Sequence, residues 1–295
     1  MDARVFRRVQ RYGWDAATSV YDRGWVPVLE TLTTSCVERA ALRPGQRVLD
    51  LATGTGVGAF AAGVAVGAAG AVTGIDVSEK MVTLASLRAA NAPVRNIVFQ
   101  RRDMEATGVG DGAFDAVTCA FGLMFAADRA AAFAEIARVT APGGRVSVCV
   151  WGRRAACGFA EVFPIVDAHV ESEVCPLFFA LGVPGALTAS FERAGLTDVV
   201  EERVPVTLSW ASADEACAAM LEGGAVALAW SRFSAETRAV VRAEYLASLE
   251  PFRRGNRYDV AAEVMFATAR KPAQAANAAS NKTERSVPPV VTPLG

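Results

Sequence analysis

Histidine is nearly missing from this chain: one imidazole, His169, occurs in 295 residues. Imidazole acid–base chemistry therefore has a single candidate. A surplus of either charge is missing too, since 30 Lys and Arg face 31 Asp and Glu for a formal charge of −1. That balance supplies no basic face for nucleic acid. No apolar run reaches the roughly 18 residues of a membrane span. The first stretch, MDARVFRRVQRYGWDAATSV, carries positive charge without the apolar core of a secretory signal. The six cysteines form no CxxC pair, and three sit inside the apolar runs TCAF, SVCVW and EVCPLF. They are expected to be reduced, mostly buried thiols of a cytoplasmic protein that holds no metal. A soft-metal or arsenic-handling site is the alternative, and the scattered spacing opposes it.

What is present is apolar bulk, 52% of the residues, enough for a sizeable core. Over the first half, Val/Ile/Phe-rich runs alternate with Ala-rich stretches of helical length. RVLDLAT (47–53), AVTGIDV (71–77), NIVFQRRD (96–103), FDAVTCAF (114–121) and GRVSVCVW (144–151) have the near-continuous apolarity of parallel strands covered on both faces. The intervening VGAFAAGVAVGAA, SEKMVTLASLRAANA and DRAAAFAEIARVTA suit helices, with Ser78 and Asp128 as N-caps of the second and third. Alternation of this kind predicts βαβ units and a doubly wound α/β sheet. Before the first strand, residues 14–42 are expected to be helical. After Trp151, helices are expected over FAEVFPIVDAHVESEV, PGALTASFERAG, ADEACAAMLEGG and SAETRAVVRAEYLASLEPF, with strands in LTDVVEERVPVTLSW and EVMFATARK. The segment from Pro272 lacks periodicity and large hydrophobes and is expected to be disordered.

The stretch VLDLATGTG (48–56) places its leanest turn directly after its most strand-like run. Without a Cβ at Gly54 or Gly56, backbone amides can approach a ligand at the carboxyl edge of a sheet, where a helix N-terminus also points. Asp76, twenty positions beyond Gly56 and at the end of the second strand, is placed to accept hydrogen bonds from ribose hydroxyls. Tight strand–helix packing is the other use of such glycines. The spacing G-T-G-V-G departs from the G-x-G-x-x-G of dinucleotide sites, and no Tyr/Lys or His/Asp catalytic pair is evident. A nicotinamide-dependent oxidoreductase is thus an alternative with little support. A non-catalytic nucleoside-binding protein of the same fold is another.

Further along, RRDMEA (101–106) ends the third strand with Asp103 beside Met104, an acceptor suited to an adenine amino group next to an apolar surface. FDAVTCAFGLM runs the fourth strand into a turn, and ARVTAPGGRV joins a helix to the fifth strand. As a set these segments resemble the class I S-adenosylmethionine-dependent methyltransferases, and within them the ubiquinone/menaquinone-biosynthesis C-methyltransferase family. The likeness is strong over residues 47–151, fair at YDRGW (21–25) and weak beyond. It implies a Rossmann-like, seven-stranded, mostly parallel sheet and S-adenosylmethionine as cofactor. It divides the chain into an N-terminal helical lid (1–44), a cofactor-binding core (45–152), acceptor-pocket helices with closing strands (153–271) and a tail (272–295). By position, Gly54, Thr55 and Gly56 would line the methionine end, Asp76 would take the ribose, and Asp103 and Met104 would hold the adenine. Ala120 replaces a serine of the quinone enzymes, so only its backbone could serve. Tyr21 resembles a lid tyrosine near the cofactor carboxylate; alternatively Trp14, Tyr21 and Trp25 staple the N-terminal helix to the core.

Methyl transfer from a sulfonium needs no protonation of the leaving group, so in-line positioning can supply most of the catalysis. A base is required only where the acceptor must lose a proton. His169 is a candidate, with Asp167 and Glu171 as alternatives, but each equally suits an amphipathic or solvated helix face. No catalytic residue is assigned. PLFFALGVPGAL, VFPIV and MLEGGAVALAWSRF supply side chains for an apolar pocket or for ordinary core. The expected acceptor is a small, apolar or aromatic molecule of quinol or phenol type, methylated at oxygen or carbon.

Overall fold

The structure is a computed structural model that describes residues 3–171 and 174–273. Two helices, α1 (Ala3–Gly24) and α2 (Val26–Arg39), precede a βαβ series: β1 (Arg47–Leu51), α3 (Val57–Val66), β2 (Ala71–Asp76), α4 (Glu79–Asn91), β3 (Ile97–Arg101), β4 (Phe114–Ala120), α5 (Arg129–Val139) and β5 (Thr140–Trp151). The remainder comprises α6 (Val162–Asp167), α7 (Ala186–Arg193), β6 (Thr197–Trp210), α8 (Ala213–Cys217), α9 (Ala227–Arg232), α10 (Ala235–Leu249), β7 (Arg253–Arg254) and β8 (Arg257–Arg270). The sheet runs β3-β2-β1-β4-β5-β8-β6, with the two-residue β7 paired only to β8. Strands β3 to β5 are mutually parallel, and β8 lies antiparallel between β5 and β6. The seven-strand mostly parallel sheet thus gains one minor hairpin strand.

Because the inner strands are covered on both sides, successive residues serve different cores. Val48, Val72, Ile97 and Ala116 pack with Ala59, Ala62 and Val66 of α3 on one face. Leu49, Leu51, Ile75, Val117 and Cys119 join the larger cluster on the other. α3 sits close to the sheet because it is built from Ala and Gly; a Cβ at Gly63 would lie 2.7 Å from Ile97 Cδ1. Both expected caps form, Ser78 Oγ accepting from Met81 N–H at 3.2 Å and Asp128 Oδ1 from Ala131 N–H at 3.0 Å.

The N-terminal helical stretch differs from expectation in two ways. Helix starts at Ala3 rather than near residue 14, and it breaks at Trp25 before α2. The early turns escaped notice because their most buried side chain is Gln10, not a run of hydrophobes. The break is held by two indoles: Trp25 Nε1 donates to the Ala219 carbonyl at 2.7 Å and Trp210 Nε1 to the Gly24 carbonyl at 3.2 Å. Ala219 belongs to a π-type turn, Ala218–Glu222, that extends α8. The helix expected through Val174 stops at Asp167, whose carboxylate accepts from Val174 N–H at 2.8 Å and turns the chain back. The single strand β6 covers all of the LTDVVEERVPVTLSW run except its first residue. The segment expected to be disordered lies outside the described residues apart from Pro272 and Ala273.

Candidate active site

β1 pairs with β2 on one side and β4 on the other, so the strand order reverses there and a crevice opens beyond the carboxyl ends of β1 and β4. Both strand ends are strained. Ala52 (φ 50°) and Phe121 (φ 55°) are non-glycine residues in the left-handed region, a conformation that costs about 1–3 kcal/mol and clusters at working sites. Gly122 permits it, because a Cβ there would lie 2.4 Å from Ala52 Cβ. The result is a cleft of about 1030 Å³, partly open to solvent.

Six of the eight residues expected at the cofactor line this cleft, Tyr21, Gly54, Asp76, Asp103, Met104 and Ala120, together with Trp14 and Trp25. Asp76 is 8% exposed, and each carboxylate oxygen accepts one backbone N–H, from Gly54 at 2.9 Å and from Ser78 at 2.8 Å. Burial raises its pKa to about 6, against the lowering effect of those two donors and with help from nearby Asp15. Each oxygen keeps a further lone pair for a ligand hydroxyl. Asp103 Oδ1 accepts from Glu105 N–H at 2.9 Å, while its other oxygen lies 3.5 Å from Arg7 Nε.

Thr55 and Gly56 fall elsewhere. Thr55 lines a smaller adjoining pocket with Asp50, Thr53 and Thr33, which shares Tyr21, Leu29, Ala52 and Ala120 with the main cleft. The Thr55 hydroxyl is buried and has no hydrogen-bond partner among the described residues. Asp50 is held by the hydroxyls of Thr53 at 2.7 Å and Thr118 at 2.6 Å, and burial raises its pKa to about 6. Gly56 lines neither space: it is the N-cap of α3 at φ 98°, and a Cβ would lie 2.9 Å from Phe60 and 3.0 Å from Phe99. Gly56 is thus used for packing, whereas Gly54 lines the open cleft.

α1 covers the cleft and is pinned at three points, to the loop after β3, to the N-cap of α4 and to α4 itself. Arg7 pairs with the buried Glu105, Asp15 accepts from Ser78 Oγ at 2.6 Å, and Asp22 pairs with Arg88 at 2.6 Å. Tyr21 lies over the turn, its Cε1 3.8 Å from where a Gly54 Cβ would stand. The inner wall is aromatic. Trp14 meets Tyr21 and Phe125 edge-on at 5.6 and 5.0 Å, and Phe125 meets Phe178 at 5.6 Å. On the far side Trp151 packs against Phe121 at 4.7 Å and Trp25 at 6.0 Å. Arg7, Gln10 and Phe125 escaped the sequence reading, since nothing local marks them, while Phe178 comes from the PLFFALGVPGAL segment expected to supply an apolar pocket or core. His169 is exposed and does not line this cleft; it borders a neighbouring groove, edge-on to Phe233 at 6.0 Å. Glu171 lies in that groove as well, and Asp167 holds Val174.

Comparison with known proteins agrees with this geometry. Residues 48–144 match the family described as methyltransferase domain. The chain is 28% identical over 273 residues to nocamycin O-methyltransferase of Saccharothrix syringae, covering 87% of this chain and 96% of that one. It is 32% identical over 181 residues to demethylmenaquinone methyltransferase of Halalkalibacterium halodurans, covering 55% and 72%. Among solved structures, the YcgJ protein of Bacillus subtilis superposes with a TM-score of 0.59 at 19% identity, over 82% of this chain and 99% of that one, and shares the fold. The chain belongs to the class I S-adenosylmethionine-dependent methyltransferases. It is an enzyme of that class, with S-adenosylmethionine as its cofactor, and the nicotinamide-dependent and non-catalytic alternatives fall away. Among the described residues no helix is long and apolar enough to cross a membrane.

Proposed function

We propose that this methyltransferase alkylates oxygen or carbon of a small aromatic acceptor of phenol or quinol type. The observation that carries the reading is the aromatic wall of Trp14, Phe125 and Phe178 in the same cleft as Gly54 and Asp76. The names of the two relatives, one an O-methyltransferase and one a quinone methyltransferase, support it.

The residues fit the cofactor. Asp76 offers unused lone pairs to ribose hydroxyls, Asp103 and Met104 border the place for an adenine, and Gly54 leaves the turn open beside Tyr21. The unpartnered Thr55 hydroxyl, next to Ala52 and Ala120, suits the polar amino-acid end, and Gly56 shapes that turn from behind. When bound, the cofactor supplies an electrophilic methyl group on a sulfonium.

The chain's own contribution is positioning and dryness. Each carboxylate in the cleft is already engaged: Asp76 by two backbone N–H groups, Asp103 by one, and Glu105 by Arg7 and the N–H groups of Ala127 and Asp128. Aligning acceptor and methyl in line is worth up to about 7–11 kcal/mol in favourable cases, and the lid of α1 keeps water from the reacting pair. Incubation with methyl-labelled cofactor and a panel of quinols, phenols, amines and lipids, read by mass spectrometry, tests the reading. Label in phenols or quinols is expected; label confined to amines would overturn it.

A further inference from the structure

The cleft does not end at its aromatic wall. A second groove runs between α1, α9 and the turn after α6, and Gln10, Trp14, Gly224 and Ala225 border both spaces. Its outer lining mixes Val9, Leu228, Ala229 and Phe233 with the polar His169 and Arg232. The two volumes adjoin at Gln10.

Gln10 is 8% exposed. Among the described residues its carboxamide has one hydrogen-bond partner, the Cys175 sulfur, 3.9 Å from Nε2. Burial raises the pKa of that thiol to about 12, so it remains neutral, and a thiol is a weak acceptor. A carboxamide carries two donor hydrogens and an oxygen with two lone pairs. Most of that capacity is unmet by the described residues, and because Gln10 borders both open spaces it is free for a ligand. An apolar residue would serve the inner face of α1 better if packing were the only demand. The amide borders the open cleft on the aromatic side, one helical turn beyond Arg7, which is itself occupied by Glu105 and Asp103.

We infer that Gln10 is the hydrogen-bonding anchor of the acceptor site. It holds a ring oxygen of the acceptor, the ring lies along Trp14, Phe125 and Phe178, and the rest of the molecule continues into the outer groove. The acceptor class is then an oxygenated aromatic larger than a single ring. This inference rests on the aromatic-acceptor methyltransferase reading above.

The test uses the full chain saturated with S-adenosylhomocysteine and follows tryptophan fluorescence. Titration with 2-naphthol and with 2-methylnaphthalene, which replaces the hydroxyl by a methyl, isolates the oxygen's contribution. In Gln10→Leu the preference for the hydroxyl, expressed as the ratio of the two dissociation constants, is expected to fall at least fivefold, while affinity for S-adenosylhomocysteine stays within twofold. A general packing defect would weaken both naphthalenes alike. Ala229→Trp, which fills the outer groove, is expected to weaken the three-ring alizarin at least fivefold and to leave 2-naphthol unchanged. An unchanged ratio in Gln10→Leu, an equal loss of cofactor-product binding, or alizarin indifferent to Ala229→Trp overturns the assignment. Failure of the unaltered protein to bind S-adenosylhomocysteine would instead sink the cofactor assignment of the cleft.

Discussion

Replacing Asp76 with asparagine changes one oxygen into an amide nitrogen and barely alters shape. The carboxylate presently accepts from Gly54 N–H at 2.9 Å and Ser78 N–H at 2.8 Å. An asparagine can satisfy one of these donors and must turn its own NH₂ towards the other. It also presents no charge to a ribose hydroxyl. Loss of a hydrogen bond to a charged group costs about 1.5–3 kcal/mol, or about 10- to 150-fold in the dissociation constant. Calorimetric titration with S-adenosylhomocysteine at pH 7.5 measures this directly. A pH series then separates charge from shape. Burial holds the Asp76 pKa at about 6 instead of 3.8, so in the free protein about nine in ten of these groups are protonated at pH 5. Affinity of the unaltered protein should therefore fall about tenfold between pH 7 and pH 5, whereas the asparagine variant should be nearly flat. The sign for folding is opposite. A carboxyl whose folded pKa is raised favours the folded state below pH 3.8 and loses that contribution as pH rises through 6. Asp50, raised to about 6 by the same cause, adds in the same direction. An unchanged dissociation constant in Asp76→Asn would refute the placing of the ribose.

Other perturbations discriminate among parts of the same cleft. Gly54→Ala meets the left-handed φ of 56° but no atom closer than Tyr21 Cε1 at 3.8 Å, so it should cost about 1–2 kcal/mol of stability and weaken the cofactor more than tenfold. Gly56→Ala combines φ 98° with Cβ contacts of 2.9 and 3.0 Å to Phe60 and Phe99, and urea unfolding should show a loss of about 2–4 kcal/mol. Glu105→Gln removes the charge that pins Arg7 and should cost about 1–2 kcal/mol, allowing for the part-exposed arginine; hydrogen exchange should quicken in the first turns of α1 and not in α3. All six cysteines are buried, so a thiol reagent should leave the native protein unlabelled over minutes and titrate six groups in urea.

The part of the cleft proposed for the cofactor was legible as a structural unit because it is local in sequence. Within VLDLATGTG a strand, a turn and a helix start follow one another, and Asp76 ends the next strand in the same sheet, so parallel pairing of β1 with β2 brings it beside Gly54 without any distant element. Strand boundaries were clear for β1 and β4, which are buried nearly throughout and read as mostly apolar runs despite Asp50 and Asp115, whereas β5 begins at Thr140, four residues before its expected start. The separate duty of Gly56 was invisible, since only the positions of Phe60 and Phe99 reveal that its missing Cβ makes room for rings rather than for a ligand. The reach of α1 was equally hidden. Its first turns are amphipathic through Val5, Phe6 and Val9, but no acidic residue stands in the first turn to mark a start, and the side facing the cleft carries Arg7 and Gln10 in place of a long apolar stripe.

The side of the cleft proposed for the acceptor was legible only as candidate segments, because it joins α1 to elements some 160 to 215 positions away. Gln10 and Trp14 come from α1, Phe178 from the turns after α6, and Gly224 and Ala225 from the loop beyond the π-type turn. What joins them is backbone contact between small residues: a Cβ at Gly24 would stand 3.0 Å from Ala219 Cβ, and one at Gly223 would stand 2.8 Å from the Tyr21 amide. These approaches set the height of α1 above the sheet, and with it the space between Tyr21 and the aromatic wall. A sequence can change acceptor by altering those few contacts while its cofactor turn stays as it is. That is why the methyltransferase class is written in the contiguous stretch 48–144, whereas the proposed acceptor pocket depends on how a distant helix is seated.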